Sequence, residues 1–239
     1  STSIYGNAVA LTESPLAEGV IYVGTDDGQV HATSDGGETW RVEGDFPGVP
    51  KFSYVAELEA SQHDADTVYA TFANHKQGDF TPYVLVSTDR GRSWSSLRGD
   101  LPDREIAWTI AQDHVDADLL FLGTEFGLYV TVNGGGNWVR MKGGLPTIAV
   151  RDLDVQRREN DLALGTFGRG FYILDDYTPL RKITSSGLDE PASLFPVKDA
   201  LIYNPATQIG YGAQGSQGAS FYSAENPPFG AVITYHLKD

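Results

Sequence analysis

The sequence predicts an all-β protein made of β-propeller blades, each a meander of four antiparallel strands, and three observations point there. An octapeptide recurs as "TSDGGETW" at 33–40, "STDRGRSW" at 87–94 and "TVNGGGNW" at 131–138. Short runs rich in β-branched and aromatic residues lead into each copy, punctuated by turn residues. The copies start 54 and 44 residues apart, and four short strands repeating at such a period are the mark of propeller blades.

The elements follow in order. In the first unit "NAVALTES" is the innermost strand, "VIYVGTDDGQVHATSD" holds the second and third, and "WRVEG" is the last. The second unit reads "YVAELEAS", "TVYATFANHKQGDFTPYVLVSTD" and "WSSLRG"; the third reads "IAWTIAQD", "LLFLGTEFGLYVTVN" and "WVRMKG". A fourth unit, "AVRDLDVQ" and "LALGTFGRGFYILDD", keeps only Asp176 of the octapeptide in register. Residues 1–184 thus divide into about four blades, near 4–50, 51–102, 103–146 and 147–184. The second unit is longer because sixteen residues separate Thr71 from Ser87, against eight from Thr25 to Thr33 and seven from Thr124 to Thr131. That excess is an insertion, "ANHKQGDFTP", between its second and third strands.

The octapeptide closes the turn before the last strand. The Asp35 carboxylate is placed to accept bonds from turn N–H groups, as Asx turns do. Gly37 allows a positive φ, and Trp40 is expected to pack its ring between neighbouring sheets. The pattern resembles the Asp-box, or BNR, repeat, S/T-x-D-x-G-x-T/S-W. Thr33, Asp35, Gly37, Thr39 and Trp40 match it in full, as do Ser87, Asp89, Gly91, Ser93 and Trp94. The third copy has Asn133 for the aspartate and Asn137 for the threonine, and keeps Gly135 and Trp138. In that repeat family the motif is a peripheral structural staple, so the resemblance implies a structural role for all of these residues.

The chain is also similar to the large exported sortilin-like proteins of bacteria, in which "GTFGRGFYILDD" is a typical last-blade phrase followed by a stretch like "SLFPVKDALIYNP". In those proteins "ENPPFGAVITYHLKD" leads towards an immunoglobulin-like β domain. The resemblance implies an extracellular or periplasmic protein and a ring of more blades. The missing blades would come from the same polypeptide or a partner protein, since both chain ends read as the middle of a domain. Residues 185–239 break the period and form a non-repeat extension, with "GYGAQGSQG" at 210–218 read as a loosely ordered loop.

Composition narrows the function classes. The 239 residues carry a net charge of −15, which argues against nucleic acid or an anionic membrane surface as partner. There is no cysteine, hence no disulfide or thiolate chemistry. No apolar run is long enough for membrane insertion. The five histidines, at 31, 63, 75, 114 and 236, lack ligand spacing. A calcium site at Asp64/Asp66 or Asp116/Asp118 lacks the glycine-bearing loop of dedicated sites. "GTFGRG" precedes a strand, not the helix end that holds a phosphate. No metal and no cofactor is expected.

Blade geometry puts the second-to-third-strand loops and the connections between blades on one face, where ligands enter. That selects Asp27, His75, Trp108, Glu125, Phe126, Arg151, Phe167 and Arg169 as candidate ligand-binding residues, with Asp26, Tyr54, Lys76 and Asp79 beside them. Asp26-Asp27-Gly28 is equally an ordinary turn sequence, and Phe126 and Phe167 equally cap the inner core. Such an aromatic and charged funnel suits a peptide or a glycan. The expected function is therefore a non-catalytic ligand- or protein-binding propeller segment. The alternative is part of a carbohydrate-active hydrolase, since Asp-box propellers include sialidases and xyloglucanases. A glycosidase needs paired carboxylates, for which Glu57 and Asp152 lie on innermost strands. Arg151 and Arg169 fall short of a sialidase arginine triad, and the glucanase aspartates have no counterpart motif.

Overall fold

The computed structural model describes residues 6–183, 190–200, 202 and 229–238. The chain divides into two compact units, 1–181 and 182–239. The first holds four antiparallel meanders. The first sheet is β1 (Ala8–Glu13), β2 (Ile21–Thr25), β3 (Val30–Thr33) and β4 (Arg41–Glu43); the second is β5 (Tyr54–Ala60), β6 (Val68–Ala73), β7 (Tyr83–Ser87) and β8 (Ser95–Ser96). The third is β9 (Ala107–Gln112), β10 (Leu120–Thr124), β11 (Gly127–Thr131) and β12 (Val139–Arg140). The fourth has three strands, β13 (Val150–Gln156), β14 (Asp161–Thr166) and β15 (Phe171–Leu174), and then turns into a short 3-10 helix, Thr178–Lys182. The expected fourth strand is absent there among the described residues, in the one unit whose third strand no octapeptide and no tryptophan follow. In the second unit β16 (Ala192–Leu194) pairs with β17 (Tyr235–Leu237); the loop at 210–218 lies outside the described residues.

These are propeller blades standing in sequence, β1 beside β5, β5 beside β9 and β9 beside β13. Each junction has its own apolar core. Tyr22 and Val30 meet Leu58, Phe72 and Leu85 at the first; Tyr69 and Val84 meet Leu120, Leu122 and Trp138 at the second. Phe121 and Val130 meet Val150, Leu162 and Leu164 at the third. Each buried side chain of this size contributes about 1.5–3 kcal/mol. The Gly-Thr pair in the second strands now has a cause. A Cβ on Gly24 would come within 2.4 Å of Val55, and one on Gly123 within 2.8 Å of the Val150 carbonyl, so the next blade crosses there.

The octapeptide turns form as their chemistry requires. Asp35 accepts from the Thr33 hydroxyl at 2.7 Å and from the Thr39 backbone N–H at 2.9 Å. Asp89 does the same with Ser87 at 2.8 Å and the Ser93 N–H at 2.8 Å. In the third turn Asn133 Oδ1 accepts from Thr131 at 2.8 Å and from the Asn137 N–H at 3.0 Å, while its amide donates to Asn137 Oδ1 at 3.2 Å. These bonds hold the Asp35 and Asp89 carboxyls well below the usual carboxylate range. Gly37, Gly91 and Gly135 all take positive φ, at 97°, 73° and 90°. The indoles differ. Trp138 is 6% exposed against the second blade, donating to the Leu97 carbonyl at 3.0 Å. Trp94 packs edge-on to Phe46 of the first blade at 5.6 Å. Trp40 is 44% exposed, contrary to the expected packing between sheets: the other two indoles pack on the blade before their own, and among the described residues no blade stands before the first.

Candidate functional site

At the start of each innermost strand the pairing register slips by one residue. Val9 stands opposite no partner in the first sheet, Ala56 in the second, Trp108 in the third and Arg151 in the fourth. Such bulges re-aim a side chain, and here the same bulge carries two small groups and then an indole and a guanidinium. Arg151 lies over Trp108, its guanidinium 3.5 Å from the ring centroid, and 5.5 Å from that of Phe167. Trp108 Nε1 donates to Glu125 Oε2 at 2.8 Å, and the same oxygen is 3.5 Å from Arg151.

The blade-two insertion supplies the opposite wall. Its 3-10 turn, His75–Gln77, brings the His75 ring edge-on to Trp108 at 5.3 Å and sets Lys76 over Tyr54 at 5.7 Å. The turn is pinned by Asp79, which accepts from Asn74 at 3.1 Å, the Thr81 N–H at 3.0 Å and the Tyr83 hydroxyl at 2.6 Å. Burial raises the Asp79 carboxyl, but these bonds outweigh it and hold it at about 2. Burial, with Lys76 and Arg151 nearby, pushes the His75 imidazole below its ordinary value, and its Nδ1 is buried without a partner.

Two adjoining hollows result. One, about 280 Å³, is bounded by Phe80, Arg104, Ile106, Glu125 and Phe126; the other, about 350 Å³, by Tyr54, Ala56 and Lys76. His75, Trp108 and Arg151 line both. The structure therefore gathers His75, Trp108, Glu125, Phe126 and Arg151 in one cleft, with Phe167 at its edge. Two expected residues are elsewhere. Asp27 accepts the Thr25 hydroxyl and serves its own turn. Arg169 is exposed between two positive-φ glycines, at 88° and 73°, and lines neither hollow. Phe80 and Arg104 were not anticipated; Arg104 stands over Phe80 at 5.4 Å, from the connection between blades two and three. A smaller hollow of about 190 Å³ between Met141 and Tyr172 is a seam of the third junction, with Lys142 its one charged lining residue.

The carboxylates beyond the cleft have structural duties. Asp64 accepts from the Asp66 N–H at 3.1 Å, and Asp116 from the Asp118 N–H at 3.1 Å. Among the described residues no three His, Asp or Glu side chains are grouped to hold a metal ion. Nor is any helix among them long and apolar enough to cross a membrane. Glu57 and Glu59 on β5 stand apart: burial pushes each carboxyl up to about 7, with Asp152 across from Glu57 adding to its shift.

No family model matches the chain. Over 136 residues, 52% of this chain, the sequence is 28% identical to xyloglucanase Xgh74A of Acetivibrio thermocellus, of which the chain spans only 16%. Among solved structures it is similar to the GH74 xyloglucanase of Xanthomonas campestris, with a TM-score of 0.59 and 16% identity, covering 82% of this chain and 33% of that one. It is likewise similar to YCF48 from Cyanidioschyzon merolae, with a TM-score of 0.54 and 18% identity, covering 74% of this chain and 55% of that one. A further YCF48 structure, with a bound D1 peptide, aligns with a TM-score of 0.54 at 15% identity over 73% of this chain and 53% of that one. At these identities the likenesses establish the fold, a β-propeller.

Proposed function

We propose that this chain is a non-catalytic binding segment of an exported Asp-box propeller, and that the cleft around Arg151 and Trp108 is its ligand site. One observation carries the reading. The cleft offers cations laid on aromatic rings and a single carboxylate, Glu125, already accepting from the Trp108 indole. Paired carboxylates flanking a scissile bond, which glycoside hydrolysis needs, are missing from its lining. Exposed apolar residues on the outward faces of the first and fourth blades, Leu11, Trp40, Phe171 and Ile173, favour further blades packed against both. The rest of the same polypeptide or a partner protein supplies them. Titration calorimetry with peptide and oligosaccharide panels tests the site: Arg151→Gln is expected to abolish whatever binding the parent shows. Binding unchanged in that variant would remove the cleft from consideration.

A second reading rests on Glu57 and Asp152. A carboxyl held at about 7 by burial, with another carboxyl near it, is the arrangement an acid–base pair uses, and xyloglucanases figure among the similar proteins. Release of reducing sugar from xyloglucan, lost in Glu57→Gln, would favour this reading over the first.

A further inference from the structure

We propose that the ligand of this cleft is an acidic peptide segment, with aspartate or glutamate side chains interspersed with apolar ones. The proposal rests on the reading of the cleft as the binding site and names the chemistry that it selects.

The argument begins with an asymmetry of commitment. The carboxylates around the cleft, Asp152 apart, are engaged within the protein. Asp79 is tied to Asn74, Thr81 and Tyr83. Asp26, beside Tyr54, accepts from the Asn7 N–H and amide at 2.8 Å each. Glu57 accepts from the Leu58 N–H, and burial raises its carboxyl so that it carries less charge near neutral pH. Glu125 holds the Trp108 indole.

The cations are not engaged in this way. Lys76 and Arg104 make no hydrogen bond or ion pair among the described residues, only their contacts with Tyr54 and Phe80. Arg151 has one ion pair, at 3.5 Å. In a chain of net charge −15, these three cations are the charges of the cleft least committed within the protein, and each can pair with a carboxylate of an anionic partner.

The aromatic rings then separate peptide from sugar. Arg151 covers the face of Trp108 and His75 meets that ring edge-on, so the best stacking surface for a pyranose is occupied. Sugar hydroxyls also need acceptors, and the lining offers a single carboxylate, Glu125, whose Oε2 is already bonded to the Trp108 indole. What remains is apolar, Phe80, Ile106 and Phe126, between points of positive charge. A peptide alternating carboxylates with apolar side chains satisfies both.

The test is fluorescence anisotropy of the full chain with a hexapeptide alternating Asp or Glu with Phe or Leu, capped at both ends. Its Asn/Gln counterpart and an oligogalacturonate are run beside it. The acidic peptide is expected to bind at least about tenfold tighter than its neutral counterpart, and to weaken as salt rises. Lys76→Gln with Arg104→Gln, both exposed positions, should lose most of that preference without a change in melting temperature. Arg92→Gln, at the opposite end of β7, should lose none. Equal affinity for the acidic and neutral peptides would overturn the inference while leaving the cleft a binding site. Preference for oligogalacturonate would overturn it in favour of an acidic glycan. Binding of no probe, with the parent folded, would overturn it together with the reading of the cleft.

Discussion

The first and third blades share one plan and meet opposite circumstances. Both have four strands, a bulge at the start of the innermost one, and an octapeptide turn ending in tryptophan. In the third blade the indole is buried on its neighbour and the bulge carries Trp108. In the first, the indole is exposed and the bulge carries Val9. A third equivalence extends the contrast. Ser14, Ser61 and Asp113 occupy the same place after the innermost strand, each with its backbone N–H bonded to the carbonyl before the second strand. Ser14 caps its own turn. Asp113 caps its turn and also accepts from the Tyr177 hydroxyl at 2.7 Å and from Nε and Nη2 of Arg181, at 2.8 and 2.7 Å, from beyond the fourth sheet. What a repeated residue contributes is therefore set by the blade beside it.

The largest effect expected from this contrast is at Trp138. Trp138→Ala should cost about 4 kcal/mol, the usual loss for a buried aromatic, read as the drop in chemical-denaturation stability. A small loss there would mean that the second junction does not depend on its indole.

Asp113→Asn should follow at about 3 kcal/mol, because Arg181 is left beside a neutral group. Burial raises the Asp113 carboxyl, but Arg181 and Tyr177 overcome this and hold it at about 2. A depressed carboxyl stabilises above its unfolded value and loses that contribution as pH falls through the folded one. The difference in melting temperature between parent and variant should be full at pH 7 and shrink between about pH 4 and 2. A difference independent of pH over that window would contradict the ion pair.

Trp40→Ala should cost below about 1 kcal/mol, and acrylamide should quench Trp40 fluorescence more readily than that of Trp138. A cost equal to that of Trp138 would mean that another surface covers it in solution. Asn133→Asp, which restores a carboxylate to the third turn, should change stability least, by a few tenths of a kcal/mol upward at most, roughly the worth of one exposed bond. Differential scanning calorimetry of parent and variant checks it.

The sequence disclosed most where the interactions are local. The bonds of Asp35, Asp89 and Asn133 reach no further than four residues, so motif and turn coincide. Blade order and the insertion followed from counting between Gly-Thr pairs and octapeptides. The cleft was partly legible for the same reason: His75, Trp108, Glu125 and Arg151 sit at fixed offsets from those landmarks. Arg104 and Phe80 lie in connections whose path is set by packing, and no offset announced them. The exposure of Trp40 was illegible because burial belongs to a pair of blades. So was Asp113, whose partner Arg181 is 68 residues away. That no fourth strand follows in the last blade among the described residues had a sign, the loss of the tryptophan.

The manner in which the insertion is fastened reaches beyond this cleft. The ladder between β6 and β7 ends at the Phe72–Tyr83 pair, and everything between is gathered onto one carboxylate, Asp79. The rim is thus an interchangeable cassette on a fixed chassis. A segment of another length or chemistry, spliced between Ala73 and Tyr83, would meet the same cations on the far wall while the sheets kept their own cores. New specificities can then be sampled at the mouth of the site without renegotiating the fold, in selection experiments as in descent.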